Sequence, residues 1–269
     1  MTTSEVRQPD QRKSRSNAAI SAVVFAAGRG TRMGSERSKV LLELNGKPII
    51  HYSIQTLQRL PLATIIVVVG HQADEVRAAV EEVAGERVRF AVQASLLGTG
   101  HALDIASREL PPDTEDVLVI NGDDSAFYRA ATLENLVVRH RALGSIITLL
   151  LARRDPNVPF GRVYRKLSGE VEFLSYDAMV ARGLELELVA TGAYVFDVPW
   201  LREHVATIPR YPNGEYPIFE LVYLAQQQGK AIDVVVLEDD YEWMSINTPQ
   251  ELAEAEQRMR HSTLHRAPD

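Results

Sequence analysis

Cysteine is absent from the 269-residue chain, which excludes disulfides, thiolate nucleophiles and cysteine-based metal sites. A reducing cytoplasm is thereby permitted, and cytoplasmic residence is the expectation. No apolar run approaches the roughly 20 residues that a bilayer-spanning helix needs, so no membrane partner is expected. Residues 1–17 are polar, include Arg12, Lys13 and Arg15, and carry no apolar stretch of the secretory-signal kind. Positive charge is also in short supply: 29 Lys and Arg face 36 Asp and Glu, a net charge of -7. Such a surface offers nucleic acid no general attraction, and a polyanionic ligand must be met by a local group of cations. Internal repeats and low-complexity segments are missing, and no left-handed hexapeptide repeat follows the main body.

What is there is alternation. Short β-rich apolar runs at residues 19–26, 64–69, 88–92, 117–120 and 145–151 alternate with helical patterns at 49–59, 73–83, 101–110 and 132–142. Four β-α units in series predict an α/β fold with a doubly wound, mostly parallel, Rossmann-like sheet. After residue 151 the rhythm changes. Residues 161–176 and 186–196 read as hairpin strands of a smaller mixed β subregion, followed by a helix at 216–228 and a strand at 232–237. Thr248-Pro249-Gln250-Glu251 marks the start of a final helix, with an N-cap, proline at the first helical position and a glutamate three residues after the cap. The expected organisation is one domain at 18–260, flanked by flexible tails at 1–17 and 261–269.

Four segments could carry chemistry. The first strand runs into Ala26-Ala27-Gly28-Arg29-Gly30-Thr31-Arg32, with Lys39 a few residues on. Glycines let a backbone approach phosphate oxygens closely, and Arg32 and Lys39 supply cations that the whole protein lacks. An ordinary strand-to-helix turn with two solvated cations has the same appearance, because the Walker and dinucleotide fingerprints are both incomplete. Asn121-Gly122-Asp123-Asp124 follows an apolar strand, where a carboxylate suits a hard cation. A plain β-turn uses the same residues. Asn247, just before the final helix, offers an amide oxygen as a second magnesium ligand, or is simply a loop residue. Between a strand and a helix, Gln93 to His101 holds Gln93, Gly98 and Thr99; a glutamine amide can read the imide edge of a pyrimidine because it both donates and accepts.

In this order the segments resemble the sugar-nucleotide pyrophosphorylases, most closely the uridylyltransferase domain of the bacterial bifunctional N-acetylglucosamine-1-phosphate uridylyltransferase. The resemblance runs from about residue 20 to 259. It rests on AAGRGTRM with Lys39, QASLLGTGHAL, NGDD, FGRV at 160–163, ATGAYVF at 190–196, NGEY at 213–216 and WMSIN at 243–247. It implies a nucleotidyltransferase that moves a nucleotidyl group, UMP from UTP, onto a sugar 1-phosphate or related phosphorylated acceptor and releases pyrophosphate. Ala26, Ala27, Gly28, Gly30 and Thr31 would grip the triphosphate, with Arg32 and Lys39 as catalytic cations. Mg2+ would be held by Asp123 and Asn247, and uracil selected by Gln93, Gly98 and Thr99. The acceptor side falls on Asn121, Gly161, Tyr176, Ala190 and Thr191.

Departures from the family pattern concentrate on that acceptor side. Tyr176 stands beside Asp177 where a sugar-contacting glutamate is usual, Ala190 replaces an asparagine, Asn121 a tyrosine and Ser125 a proline. They point to an acceptor other than N-acetylglucosamine 1-phosphate. The acetyltransferase half of the bifunctional enzyme, and the trimer its repeats build, are not expected. Two other readings stay open: a cytidylyltransferase acting on a phosphonate, a polyol phosphate or phosphocholine, and a non-catalytic pyrophosphorylase-like regulatory module.

Overall fold

The computed structural model describes residues 19–30 and 37–265, the last five by their backbone alone. In chain order the first half contains β1 (Ala19–Ala26), the short strands β2 (Glu43–Leu44) and β3 (Lys47–Pro48), α1 (Ile49–Gln58), β4 (Ile65–Val69), α2 (Ala73–Glu81), β5 (Val88–Val92), α3 (Thr99–Glu109), β6 (Thr114–Asn121), α4 (Ala130–Leu143) and β7 (Ile147–Arg153). The second half adds β8 (Arg162–Arg165), β9 (Val171–Leu174), α5 (Tyr176–Ala181), β10 (Leu188–Asp197), α6 (Val198–His204), α7 (Glu220–Gln227), β11 (Ile232–Val236) and α8 (Pro249–His265).

Seven strands form one sheet in the order β11-β7-β10-β6-β1-β4-β5. All neighbours pair in parallel except β10, which runs antiparallel to both β6 and β7. This is the mostly parallel α/β sheet expected from the alternation. Both faces are buried, and successive residues of β1 divide between them. Ala22, Val24 and Ala26 pack with Ile50 and Ile54 of α1, Val76 and Val80 of α2 and Leu133 of α4. Val23 and Ala27 pack on the other side with Leu103 of α3, Leu201 of α6 and Leu221 of α7. The period of two along a strand assigns each residue to a face, and helices on both faces make the central strand positions mostly apolar.

One strand lies elsewhere than the sequence predicts. Residues 186–196 read as part of a separate hairpin, yet β10 sits in the middle of the main sheet, and the small antiparallel pair is β8 with β9. The reason is visible in burial: Ala193, Tyr194, Val195 and Phe196 are consecutively buried, as a strand covered on both faces must be. At the other end α8 continues to His265, past the expected boundary at residue 260, with no proline before Pro268 to stop it. The expected tail at 1–17, residues 266–269, and the loop residues Thr31 and Arg32 lie outside the described residues. No helix among the described residues is long and apolar enough to cross a membrane.

Candidate functional site

Parallel strands deliver their carboxyl ends to one edge of the sheet, and that is where open α/β sheets bind ligands. Here β1, β4, β5 and β6 bring Ala27 to Gly30, Gly70, Gln93 and the 121–124 turn to the same edge. Two adjoining lobes open there. The first, about 490 Å3, is lined by Ala26, Ala27, Gly28, Gly30, Gln93, Gly98 and Thr99, with Leu96 and Glu215 beside them. The second, about 320 Å3, is lined by Phe160, Ala190, Thr191, Tyr194, Trp243 and Asp124, among others. Phe25, Lys39, Thr99, Asn121, Asp123 and Asn247 line both.

The shared wall is a tight polar cluster. Lys39 Nζ donates to Asp123 Oδ2 at 2.5 Å and to Asn247 Oδ1 at 3.0 Å, so residues 84 and 208 positions away in sequence meet at one ammonium. Each is positioned by its local fold. Lys39 opens a 3-10 turn, Lys39–Leu41, and Gly30 lies against it: a Cβ on Gly30 would come within 2.8 Å of the Lys39 Cβ, and Gly30 has φ +66. Glycine is required there on both counts. The turn bearing Asp123 is pinned by β1 on one side and α1 on the other. Gly122 N donates to Phe25 O at 2.9 Å, and the Ser53 hydroxyl from α1 reaches Gly122 O at 3.3 Å and Ser125 Oγ at 2.7 Å. Ser125, which departs from the family's proline, is buried and hydrogen-bonded within the turn.

Asn247 is held by the predicted cap. Glu251 N donates to Thr248 Oγ1 at 3.2 Å, while Glu251 Oε2 accepts from Thr248 N at 2.8 Å and from Asn247 N at 2.7 Å. This is a capping box, and it fixes the backbone of the residue whose amide enters the cleft.

In the first lobe, Gln93 is 4% exposed; its Nε2 donates to Gly98 O at 3.0 Å and lies 3.1 Å from His101 Nδ1. The loop it braces is laced to the 213–218 segment: Tyr216 N donates to Leu97 O, Gly100 N to Tyr216 O and Ile218 N to Thr99 Oγ1. In the second lobe, a bulge in β10 between Ala190 and Tyr194 interrupts its pairing with β7. Gly192, at φ +79, then passes so close to Asn121 that a Cβ would lie 2.1 Å from Nδ2. That amide donates to Asp124 Oδ2 at 3.3 Å. Burial, reinforced by the charge of Asp123, pushes the Asp124 carboxyl well above the usual range, with Lys39 and Asn121 opposing.

Phe160 meets Trp243 edge-on at 6.1 Å. Arg154 stacks over the Trp243 indole at 4.8 Å and donates to Trp243 O at 3.1 Å. Arg162, fully buried, donates from Nη2 to the carbonyls of Asp155, Pro156 and Val158 and so shapes the loop that carries Phe160.

Most of the expected site residues converge on this cleft. Gly161 and Tyr176 do not line either lobe; Phe160 takes the place beside Gly161, and the Tyr176 hydroxyl is spent on Asn157 O at 3.2 Å. Glu215, Asp124, Phe160, Tyr194 and Trp243 lie within the motifs quoted above but carry no site role in the sequence reading, since apolar aromatics and loop acids look the same in a core or on a surface.

A divalent cation fits the donor set. Asp123 Oδ2 and Asn247 Oδ1 are hard oxygen donors already within bonding reach of one positive charge, and magnesium commonly takes one or two protein oxygens and completes its shell with phosphates and water. Among the described residues no group of three or more His, Asp or Glu could hold a metal unaided.

Comparison with known proteins agrees with this fold. The family model described as "MobA-like NTP transferase domain" matches residues 22–182. A protein named "Bifunctional protein GlmU" from Exiguobacterium sibiricum is 33% identical over 244 residues, which is 90% of this chain and 53% of that protein. Its namesake from Pelotomaculum thermopropionicum is 36% identical over 248 residues, 91% of this chain and 53% of that protein. The chain thus spans about half the length of these curated relatives. Among solved structures, HddC from Yersinia pseudotuberculosis superposes with a TM-score of 0.67 at 18% identity, covering 89% of this chain and 99% of the other. A Bacillus anthracis structure, described as a candidate glucose-1-phosphate thymidylyltransferase in complex with a sucrose, gives 0.73 at 20% identity over 90% and 96%. At these identities the two structures speak for the fold alone.

Proposed function

This chain belongs to the MobA-like NTP transferase family, and from that premise we propose that it is a magnesium-dependent uridylyltransferase: it moves UMP from UTP onto a sugar 1-phosphate or related phosphorylated acceptor and releases pyrophosphate. The observation that carries this reading is the shared wall, because Lys39, Asp123 and Asn247 border both lobes. A transfer reaction needs two substrates on either side of one reacting centre. A module that only binds nucleotide has no use for a second lobe meeting the first at a cation.

The first lobe takes the nucleotide, its phosphates toward Gly28 and Gly30 and its base toward Gln93, Gly98 and Thr99. The second takes the acceptor against Asn121, Ala190 and Thr191. An oxygen of the acceptor's phosphate attacks the α-phosphorus of UTP. The new P–O bond forms as the bond to the α,β-bridging oxygen breaks, and the electron pair departs on pyrophosphate. The attacking oxygen is ionised at neutral pH, so no side chain has to remove a proton. Catalysis then reduces to alignment and charge neutralisation. Lys39 contributes a positive charge where negative charge accumulates. Asp123 and Asn247 would hold Mg2+, which when bound polarises the phosphoryl oxygens.

The test is pyrophosphate release, measured with UTP, CTP, dTTP, ATP and GTP in turn against a mixed library of sugar and non-sugar phosphates. Release that needs both an acceptor and magnesium, and is fastest with UTP, is the expected result. Faster release with CTP would replace uridylyl by cytidylyl transfer, and no release with any pair would refute transferase activity.

A further inference from the structure

Lys39 has an unexpected partner. A lysine placed to meet phosphates donates instead to Asp123 Oδ2 and Asn247 Oδ1, at 2.5 and 3.0 Å. Those are the two oxygens that the proposed function gives to magnesium. An ammonium hydrogen-bonded to both and a divalent ion at the roughly 2.1 Å that magnesium demands would occupy overlapping positions and repel one another. One of them must leave when the other arrives.

Lys39 is 8% exposed overall and lines both lobes, so an ammonium displaced from the oxygen pair stays inside the cleft, where a charge without a partner is disfavoured. It needs a second anionic partner. The adjoining lobe, lined by Ala27, Gly28 and Gly30, is where the triphosphate would lie, and Gly30 rests against the Lys39 Cβ. The stem of the side chain is therefore held while its head faces two alternatives. We infer that Lys39 and the divalent cation are alternative occupants of one oxygen pair, so that the metal enters together with the nucleoside triphosphate, whose phosphates draw the ammonium aside. This rests on the reading of Asp123 and Asn247 as the metal ligands. It goes further by making metal and nucleotide binding thermodynamically coupled through Lys39, with equal effect in both directions.

The probe is Mn2+, titrated without nucleotide and followed by electron paramagnetic resonance, on the wild type, Lys39→Met and Lys39→Gln. Two variants guard against the misfolding of either. The expected result is one Mn2+ bound by both variants on the order of tenfold more tightly than by the wild type, in the range usual for coupled sites. At the same concentration Mn2+ should raise the thermal unfolding midpoint of the variants more than that of the wild type. Adding Asp123→Asn to Lys39→Met should abolish the gain. Equal Mn2+ affinity in wild type and variants overturns the inference while leaving the metal assignment intact; a gain that survives Asp123→Asn overturns the inference and the assignment of Asp123 to the metal together. If no protein binds Mn2+ even with UTP added, the metal assignment itself fails and the inference falls with it.

Discussion

The two lobes share a wall but are made of different material. The first draws much of its wall from small residues at or beyond the ends of β1 and β5: Ala26, Ala27, Gly28, Gly30 and Gly98. The second is bounded by large side chains, Phe160, Tyr194 and Trp243, brought in by β10 and by loops from the latter part of the chain. The contrast follows from what each would bind. Phosphates are held by close backbone approach and cations, which glycine permits and which any such ligand requires. An acceptor is distinguished by its shape and its hydroxyls, and that falls to side chains. Of the departures from the family pattern, Ala190 lines the second lobe and Asn121 the wall shared by both, whereas Tyr176 lines neither.

Substitutions should separate the lobes, and the largest effect belongs to the wall they share. Asp123→Ala should lower kcat by about 10^3-fold, the scale of losing a main charge-stabilising element, with the circular dichroism spectrum unchanged. A variant retaining near-normal magnesium-dependent turnover would remove Asp123 from the reaction. Next comes Gly192→Ala, which drives a methyl into the Asn121 amide at a residue with φ +79. The acceptor KM should rise roughly 10- to 100-fold with the nucleotide KM little altered; a parallel rise in both would mean that the lobes are not separable.

Gln93→Ala should act on the other side. Loss of the amide that braces Gly98 should cut the preference for UTP over CTP by roughly tenfold, the worth of about one hydrogen bond, without changing the acceptor KM. An unchanged nucleotide ratio would demote Gln93 to a loop brace.

The smallest effect on turnover is expected far from both lobes. Asp116 is fully buried; burial alone would raise its carboxyl, but the hydrogen bonds and charges of His140 and Arg141 outweigh this and hold it below the usual value. Arg141 Nε lies 2.7 Å from Oδ2 and His140 Nε2 3.5 Å from Oδ1. A carboxylate with a depressed folded pKa stabilises the protein above its unfolded pKa, and that stability is lost as pH falls through the folded one. The thermal midpoint of the wild type should therefore fall more steeply below about pH 4 than that of Asp116→Asn, with kcat at neutral pH the same in both. Equal slopes would contradict the role given to Asp116.

The same division governs what the sequence discloses. The sheet was legible because its strands are apolar on both faces and separated by helical periods. The start of α8 was legible, since Thr248-Pro249-Gln250-Glu251 announces a capping box, but the role of Asn247 before it came from the family resemblance alone. The glycine loop and the Asn-Gly-Asp turn could be seen because unusual backbone demands unusual residues. β10 was misplaced because an isolated apolar run does not say whether it pairs at an edge or in the middle. Phe160, Tyr194 and Trp243 were missed for a related reason: an aromatic lining a cleft and one filling a core have the same sequence signature. That Lys39 bridges Asp123 and Asn247 is a fact of three-dimensional convergence that no local pattern carries.

The most direct test of the shared wall is the anomalous signal of Mn2+ in crystals grown with a non-hydrolysable UTP analogue. One metal peak is expected within coordination distance of Asp123 Oδ2 and Asn247 Oδ1, with the triphosphate beside Gly28 and Gly30. A metal bound away from both oxygens, or a nucleotide seated against Phe160 and Trp243, would contradict the account.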